Sequence, residues 1–129
     1  MKGIYLEWKI TKESIVASGP NKKFVHYFPK EDFFTIMKKF LLIIKKEGII
    51  SRFDVLNEMH NIKLSENRIF NKETHIYKIK IVFDILIKEG YIERKGIKKY
   101  PKHQGKSHYG FVLKAPAQQI EQWLANLSH

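Results

Sequence analysis

The chain has 129 residues, of which 43% are hydrophobic and 13% aromatic, enough for one packed core and too many for a disordered segment. Its 24 Lys and Arg against 13 Asp and Glu give a formal net charge of +11, which favours an acidic partner such as nucleic acid or an anionic membrane surface. There is no cysteine, no apolar run approaching the ~20 residues of a membrane span and no apolar signal segment after Met1, so we expect a cytoplasmic protein without disulfides, thiolate metal sites or membrane spans.

The first 30 residues are predicted to form a small antiparallel sheet. Apolar and polar residues alternate in three short stretches between residues 4 and 28, "IYLEWKI", "IVAS" and "KFVHYF". The sequence "GPNK" between the second and third stretches is typical of a turn. Pro29 closes this region, which would precede the first helix as a β extension.

The clearest helix pattern follows in "KEDFFTIMKKFLLIIKKEG". It has acids in its first turn, lysines in its last turn and Gly48 just beyond its end, as the helix dipole and a left-handed cap require. Phe34, Leu41 and Leu42 widen its apolar stripe, so the helix is predicted to contact more than one neighbour. The apolar residues at helical spacing are Phe33, Ile36, Met37, Phe40, Ile43 and Ile44.

A shorter helix and an irregular linker come next. After an apolar step at Ile49–Ile50, Ser51 can cap the helix "RFDVLNEMH". The helical spacing within it predicts burial of Phe53, Leu56 and Met59. The linker "NIKLSENRIFN" has no periodic pattern.

The third predicted helix, "KETHIYKIKIVFDILIKEG", has Asn71 as its N-cap and Gly90 at its end. Ile81 and Ile85 lie opposite its main apolar face, so the helix is polar on its outer side only in its first half. We therefore predict an N-terminal half that protrudes and a C-terminal half that is buried, with Ile81 and Ile85 under the N-terminal sheet. The main apolar face consists of Ile76, Ile79, Val82, Phe83, Leu86 and Ile87.

The C-terminal part is predicted to contain a hairpin and a last helix. Residues 91–95 ("YIERK") and 108–113 ("HYGFVL") are typical of strands, and the loop between them contains Gly96, Pro101 and Gly105. The segment "APAQQIEQWLANLSH" predicts a short amphipathic helix, whose apolar face is more often an intramolecular docking face than a dimer seam. This face consists of Ile120, Trp123, Leu124 and Leu127.

The order from residue 31 is helix, short strand, helix, helix, strand, basic loop and strand, and "IVFDILIKEGYIERKG" passes directly from the third helix into a charged hairpin. Over residues 31–114 this order resembles the winged helix-turn-helix superfamily, although the linker before the third helix is longer than a compact helix-turn-helix allows. The predicted fold is therefore α+β and a single domain. It would comprise a small antiparallel sheet over residues 1–30, a winged-helix core over 31–114 and an amphipathic helix over 115–129.

The resemblance implies binding of double-stranded DNA by a homodimer, in transcriptional regulation or in replication or partition of a mobile element. The third helix would enter the major groove, with its first-turn amides at a phosphate, and the basic wing would follow the DNA backbone. The charge distribution agrees, since residues 71–114 carry 11 basic and 4 acidic side chains. The expected DNA contacts are Lys72, Thr74, His75, Tyr77 and Lys78 on the helix, and Arg94, Lys95, Lys98, Lys99, Lys102, His103 and Lys106 on the wing, with His108 nearby.

Other interpretations of these residues stay open. A lysine-rich hairpin is often only a solvated loop, and His75 and Tyr77 are equally compatible with ordinary half-buried positions. The same fold can also serve as a protein-interaction module that docks through Ile81, Ile85 and the C-terminal helix. RNA binding is a further alternative, in which bases would stack on Tyr91, Tyr100 and Tyr109.

No pattern of catalysis stands out. The histidines lack the spacing of a metal-binding helix, and "GKSHYG" does not match a phosphate-binding loop. The carboxylates fall on separate predicted elements without a pairing signal. We therefore expect neither an enzyme nor a bound metal or cofactor.

Overall fold

The computed structural model describes residues 7–19, 25–64 and 68–128. These residues form an α+β fold with a three-stranded antiparallel sheet, four α-helices and a two-stranded hairpin. No helix among them is both long and apolar enough to cross a bilayer. The elements are β1 (Glu7–Ile10), β2 (Ser14–Ser18), β3 (Val25–Pro29), α1 (Lys30–Glu47), α2 (Arg52–Glu58), α3 (Lys72–Lys88), β4 (Ile92–Tyr100), β5 (Lys106–Leu113) and α4 (Ala117–Leu127).

The N-terminal sheet has the strand order β1-β2-β3, with both neighbouring pairs antiparallel. Ile15 of β2 lies opposite Phe28 of β3, and both side chains are buried. Strands β2 and β3 contact α1, so the sheet contributes one side of the core. The predicted sheet is confirmed for the described strands; residues 4–6 and 20–24 of that prediction lie outside the described part.

Helix α1 is central to the core, because it contacts α2, α3, α4 and the two strands β2 and β3. All six of its predicted core residues are buried, and so is Leu41, whereas Leu42 is 62% exposed. The helix ends at Gly48 in the left-handed conformation (φ 77°), where a residue without Cβ avoids a steric cost. The predicted contact of this helix with several neighbours is confirmed.

Helix α2 begins with a reciprocal capping box. The Ser51 hydroxyl accepts a hydrogen bond from the Asp54 amide at 3.2 Å, and the Asp54 carboxylate accepts one from the Ser51 amide at 2.8 Å. The prediction of Ser51 as N-cap is confirmed. Phe53 and Met59 are buried as predicted, and Leu56 is half-buried against the core. Val55, which was not predicted, is fully buried because α2 contacts both α1 and α3.

The linker between α2 and α3 is held by antiparallel backbone contacts. Lys63 and Ile69 form an isolated β-bridge, and the Phe70 amide donates to the Ile62 carbonyl at 2.8 Å. Residues 65–67, between the bridged positions, lie outside the described part. These contacts bring the two ends of the linker together, so its length does not separate α2 from α3, which remain in contact.

Helix α3 is buried along its C-terminal half, as predicted. Ile81 and Ile85 are 6% and 0% exposed and belong to the same core cluster as the sheet residues. The chain leaves the helix at Gly90 (φ 81°), where the Tyr91 amide donates to the Leu86 carbonyl at 2.9 Å. Ile76, predicted to lie on the buried face, is 44% exposed, because the space beside it is a cavity rather than a packed neighbour.

The β4–β5 hairpin is longer than predicted. Strand β4 continues to Tyr100 and β5 begins at Lys106, so much of the predicted loop is paired strand. A bulge lies between Arg94 and Ile97, with Gly96 in the left-handed region. Ile50 and Phe111 exchange two backbone hydrogen bonds of 3.0 and 2.7 Å, which attaches the segment before α2 to β5. The helices and strands from α1 to β5 follow the predicted order, except that the predicted short strand before α2 is a single β-bridge at Ile50.

Helix α4 docks on its own chain. Ile120 is fully buried, and the Trp123 ring lies 6.1 Å from Trp8, 6.2 Å from Phe33 and 5.0 Å from Tyr91, measured between ring centroids. Such aromatic contacts stabilise by about 0.5–1.5 kcal/mol each beyond the apolar area that they bury. The prediction that this helix is an intramolecular docking element is confirmed.

Candidate nucleic-acid interface

The β4–β5 hairpin carries a concentrated positive charge. Residues 94–114 contain seven Lys and Arg and no Asp or Glu. Six cations in this range are exposed and form no ion pair with any described residue: Arg94, Lys95, Lys99, Lys102 and Lys106 on the hairpin, and Lys114 directly after it. Like charges held this close repel one another, and a polyanion relieves that repulsion.

Lys98 differs from these six and corrects the sequence prediction. Its side chain is only 14% exposed, and its ammonium donates to Glu47 Oε1 and Asp54 Oδ2, both at 2.9 Å, and to the Ile49 carbonyl at 3.3 Å. Burial lowers the pKa of Lys98, but the hydrogen bonds and charges of Asp54 and Glu47 outweigh it and hold the pKa above its usual value. Lys98 therefore fastens the hairpin to the end of α1 and the start of α2 and does not present its charge to a ligand.

The far end of the hairpin rests on Phe53 of α2. The His108 ring stacks on Phe53 at 4.7 Å with an interplanar angle of 7°, and the Tyr100 and His103 rings meet it edge-on at 4.9 and 5.2 Å. The Tyr100 hydroxyl is hydrogen-bonded to the Ser51 hydroxyl. These contacts fix the position of the hairpin relative to α2. The predicted contact residue His103 is exposed, and its ring contacts both Phe53 and Tyr100.

The three tyrosines named for RNA stacking do not form one platform. Tyr91 contacts Trp123, Tyr100 contacts Phe53, and both side chains are half-buried. Tyr109 alone of the three is exposed, at 51%, and the Arg94 guanidinium lies 4.4 Å from its ring centroid. The predicted stacking surface is therefore reduced to one ring covered by a guanidinium.

The first turn of α3 is already capped. The Asn71 side chain accepts hydrogen bonds from the amides of Glu73 and Thr74 at 2.8 and 3.3 Å, which confirms Asn71 as the N-cap. The amides of Glu73 and Thr74 are therefore occupied and are not available to a phosphate, and the expected phosphate contact at the first turn stays a prediction for the remaining amide of Lys72. The Lys72 and Thr74 side chains, by contrast, are exposed at this end of the helix.

His75 takes part in the same turn. Its Nδ1 accepts a hydrogen bond from the Asn71 amide at 2.8 Å, which requires the neutral ring with its proton on Nε2. Burial is the main cause that lowers the pKa of His75, and the charges of Lys78 and Arg68 add to it. His75 is thus a half-buried residue of the helix start and a poor anchor for an anion.

Tyr77 and Lys78 face the protein rather than solvent. Tyr77 is half-buried against β3, with ring centroids 5.2 Å from His26 and 6.2 Å from Phe28. The Lys78 side chain is 2% exposed, and its ammonium donates to Asp32 Oδ2 at 2.7 Å. The prediction that Lys78 reaches base edges is wrong, because the N-terminal sheet and α1 cover this side of α3.

Two basic residues of this region were missed from the sequence. Lys80 is exposed on α3 and pairs with Asp84 at 3.2 Å, and Arg52 on α2 pairs with the same carboxylate at 3.5 Å. Ile76 and Lys80 lie four residues apart, so they share the side of the helix that turns away from Lys78. Helical spacing from Ile76 is the signal that would have found Lys80.

Of the residues predicted to dock a partner protein, Ile81, Ile85 and Ile120 are buried, and Trp123, Leu124 and Leu127 of α4 are partly buried against the core. Within the described residues, no group of three His, Asp or Glu side chains is placed to hold a metal ion.

Comparison with protein-family models, with curated proteins and with solved structures finds no significant match.

Proposed function

We propose that this protein binds double-stranded DNA in the manner of a winged helix, with the hairpin along the phosphate backbone and the N-terminal half of α3 at the major groove. The observation that carries the proposal is the set of five exposed, unpaired hairpin cations described above. A duplex carries one phosphate charge per ~1.7 Å of its axis, a density that several neighbouring cations match better than an isolated one does.

Anchoring of the hairpin supports this proposal over a merely solvated loop. Lys98, Tyr100 and His108 attach the hairpin to α1 and α2, so the charged side chains start from a fixed backbone. Binding then orders only side chains and avoids the cost of ordering a loop. Phosphate contacts of this kind position a protein on DNA without reading its sequence.

Sequence preference would come from the exposed side of α3. Lys72 and Lys80 are exposed on the side that turns away from Lys78, and Thr74 is exposed one turn before Lys78, which is itself excluded by its ion pair. Lysine can donate a hydrogen bond to guanine, and threonine can contact a base edge or the thymine methyl group. A role in transcription, or in replication or partition of a mobile element, is part of the proposal; a homodimer stays a prediction and would need a surface other than the docked face of α4.

The test compares two triple variants that remove the same charge. In the hairpin variant Lys95, Lys99 and Lys102 become Gln; in the control variant Lys12, Lys38 and Lys46, which are exposed on the β1–β2 turn and α1, become Gln. Fluorescence anisotropy with a random-sequence duplex is measured between about 50 and 200 mM KCl. We expect the slope of log affinity against log salt to fall by up to ~2.7 in the hairpin variant and by much less in the control.

Equal slopes for the two variants would overturn the assignment of the hairpin, since net charge alone would then explain binding. Tighter binding of single strands than of duplex in the same buffer would overturn the choice of double-stranded DNA. If the unmodified protein shows no salt-dependent binding to duplex or single strands, nucleic acid is rejected as the partner.

A further inference from the structure

A cavity of about 410 Å³ lies between α2, α3 and the hairpin. Phe53 and Leu56 of α2, Ile76 and Ile79 of α3 and His108 of β5 form much of its wall. Its volume is within the ~300–1,000 Å³ range of small-molecule sites and near the lower end. The exposed side chains of Ile76 and Lys80 form part of its rim, so the cavity is reached from solvent.

Two nitrogen atoms of lining residues have no hydrogen-bond partner within the described structure, although both atoms are buried: Arg52 Nε and His108 Nε2. A buried donor left without a partner costs about 1–3 kcal/mol, so such atoms are uncommon unless something else satisfies them. Both residues line the same cavity, one from α2 and the other from the hairpin. An acceptor group of a ligand in the cavity would reach either nitrogen atom after a rotation of its side chain, because neither atom is open to the cavity in this conformation.

Contacts with two aromatic rings and one carboxylate hold the Arg52 side chain in place. Its guanidinium lies 5.7 Å from the Phe83 ring and 5.4 Å from the Phe111 ring, and its Nη2 reaches Asp84 at 3.5 Å. His108 is held equally firmly by its stacking on Phe53. These contacts keep both side chains at the cavity wall.

Charge and shape define the ligand. Arg52 and Lys80 both line the cavity, and the single carboxylate of Asp84 is shared between them, which leaves an excess positive charge. The aromatic rings of Phe53, Tyr77 and His108 in the wall favour stacking with a flat ring. We propose that this cavity binds a small aromatic carboxylate, with the carboxylate at Arg52 and His108 and the ring between α2 and α3.

The test uses the full chain without nucleic acid, so that its outcome is independent of the proposed DNA binding. Benzoate, phenylacetate and indoleacetate are titrated by calorimetry, each beside its primary amide. We expect at least one acid to bind with one-to-one stoichiometry and a dissociation constant below about 1 mM, and its amide to bind about tenfold more weakly, because a charge-assisted hydrogen bond is stronger than a neutral one.

Two cavity variants and one control decide the location. Ile76→Trp fills the rim from a position that is 44% exposed, and Leu42→Trp adds the same ring at a 62% exposed position of α1 outside the cavity. His108→Phe keeps a ring on Phe53 but removes the free nitrogen. We expect Ile76→Trp and His108→Phe to raise the dissociation constant of the acid by about tenfold or more. Leu42→Trp should change that constant by less than about twofold.

Absence of binding by all three acids would overturn the proposal. Equal binding by Ile76→Trp and Leu42→Trp would also overturn it, because the acid would then sit elsewhere. Equal affinity of an acid and its amide would reject the role of the two nitrogen atoms.

Discussion

Lys98 and Lys99 are neighbours in β4, yet the structure assigns them opposite roles, and replacing each by methionine separates these roles. Lys98 is 14% exposed and bonded to Glu47 and Asp54, whereas Lys99 is exposed and forms no ion pair with a described residue. Both substitutions remove one positive charge and keep an unbranched apolar chain. Any difference between the two variants therefore reports the surroundings of the ammonium group.

The expected loss of stability for Lys98→Met is about 2–3 kcal/mol. Removing one partner of a fully buried pair costs ~3–5 kcal/mol. The cost here is smaller because the Glu47 side chain is 45% exposed and Asp54 keeps its hydrogen bond from the Ser51 amide. For 129 residues 1 kcal/mol corresponds to roughly 4 °C in the midpoint of thermal unfolding, so we expect a decrease of roughly 8–12 °C. Lys99→Met should change stability by less than about 0.5 kcal/mol.

The two substitutions should affect DNA binding in the opposite order, with the larger effect for Lys99→Met. Lys99→Met removes one expected phosphate contact, so the slope of log affinity against log salt should fall by ~0.9, whereas Lys98→Met should leave it nearly unchanged. Urea unfolding followed by circular dichroism measures the change in stability, and fluorescence anisotropy at several salt concentrations measures the slope of DNA affinity against salt. A similar loss of stability in both variants, or a larger loss of slope for Lys98→Met, would refute this account of the hairpin.

Three further predictions concern α3 and α2. Lys78→Met should destabilise the fold by about 3–5 kcal/mol, because it removes the cation from buried Asp32. The control Lys80→Met, at an exposed position of the same helix, should cost no more than about 0.5 kcal/mol. Equal costs of the two substitutions in urea unfolding would contradict the buried pair. Because burial and then the charge of Lys78 lower the pKa of His75, the unfolded chain binds the proton more tightly, and stability should be lost as pH falls from about 6.5 through the folded pKa. His75→Gln should flatten that part of the stability curve, and an NMR titration of His75 with a midpoint above 6.5 would contradict the sign. Ser51→Ala should cost about 1–2 kcal/mol through loss of the helix cap, and an unchanged urea midpoint would exclude that role.

Much of the fold was predictable because its signals are local. The end of α1 at Gly48, the caps at Ser51 and Asn71 and the exit from α3 at Gly90 depend on residues within one helical turn. Hydrophobic periodicity is likewise a short-range property, and it identified the core residues of α1 and the docked face of α4. The α+β composition and the order of elements follow from these local signals.

The candidate site depended on contacts that no local pattern contains. Lys78 and Lys98 occur in lysine-rich segments and look like their exposed neighbours, but their carboxylate partners lie 46 residues away for Lys78, and 51 and 44 residues away for Lys98. Whether a lysine is available to an anion depends on the elements that pack around it, and only the tertiary structure brings Asp32, Glu47 and Asp54 to these positions. The cavity has the same origin, because its lining comes from α2, α3 and β5. The sequence by itself determined how much positive charge the protein carries and where along the chain it lies, while the packing of distant elements decided which of those charges face solvent.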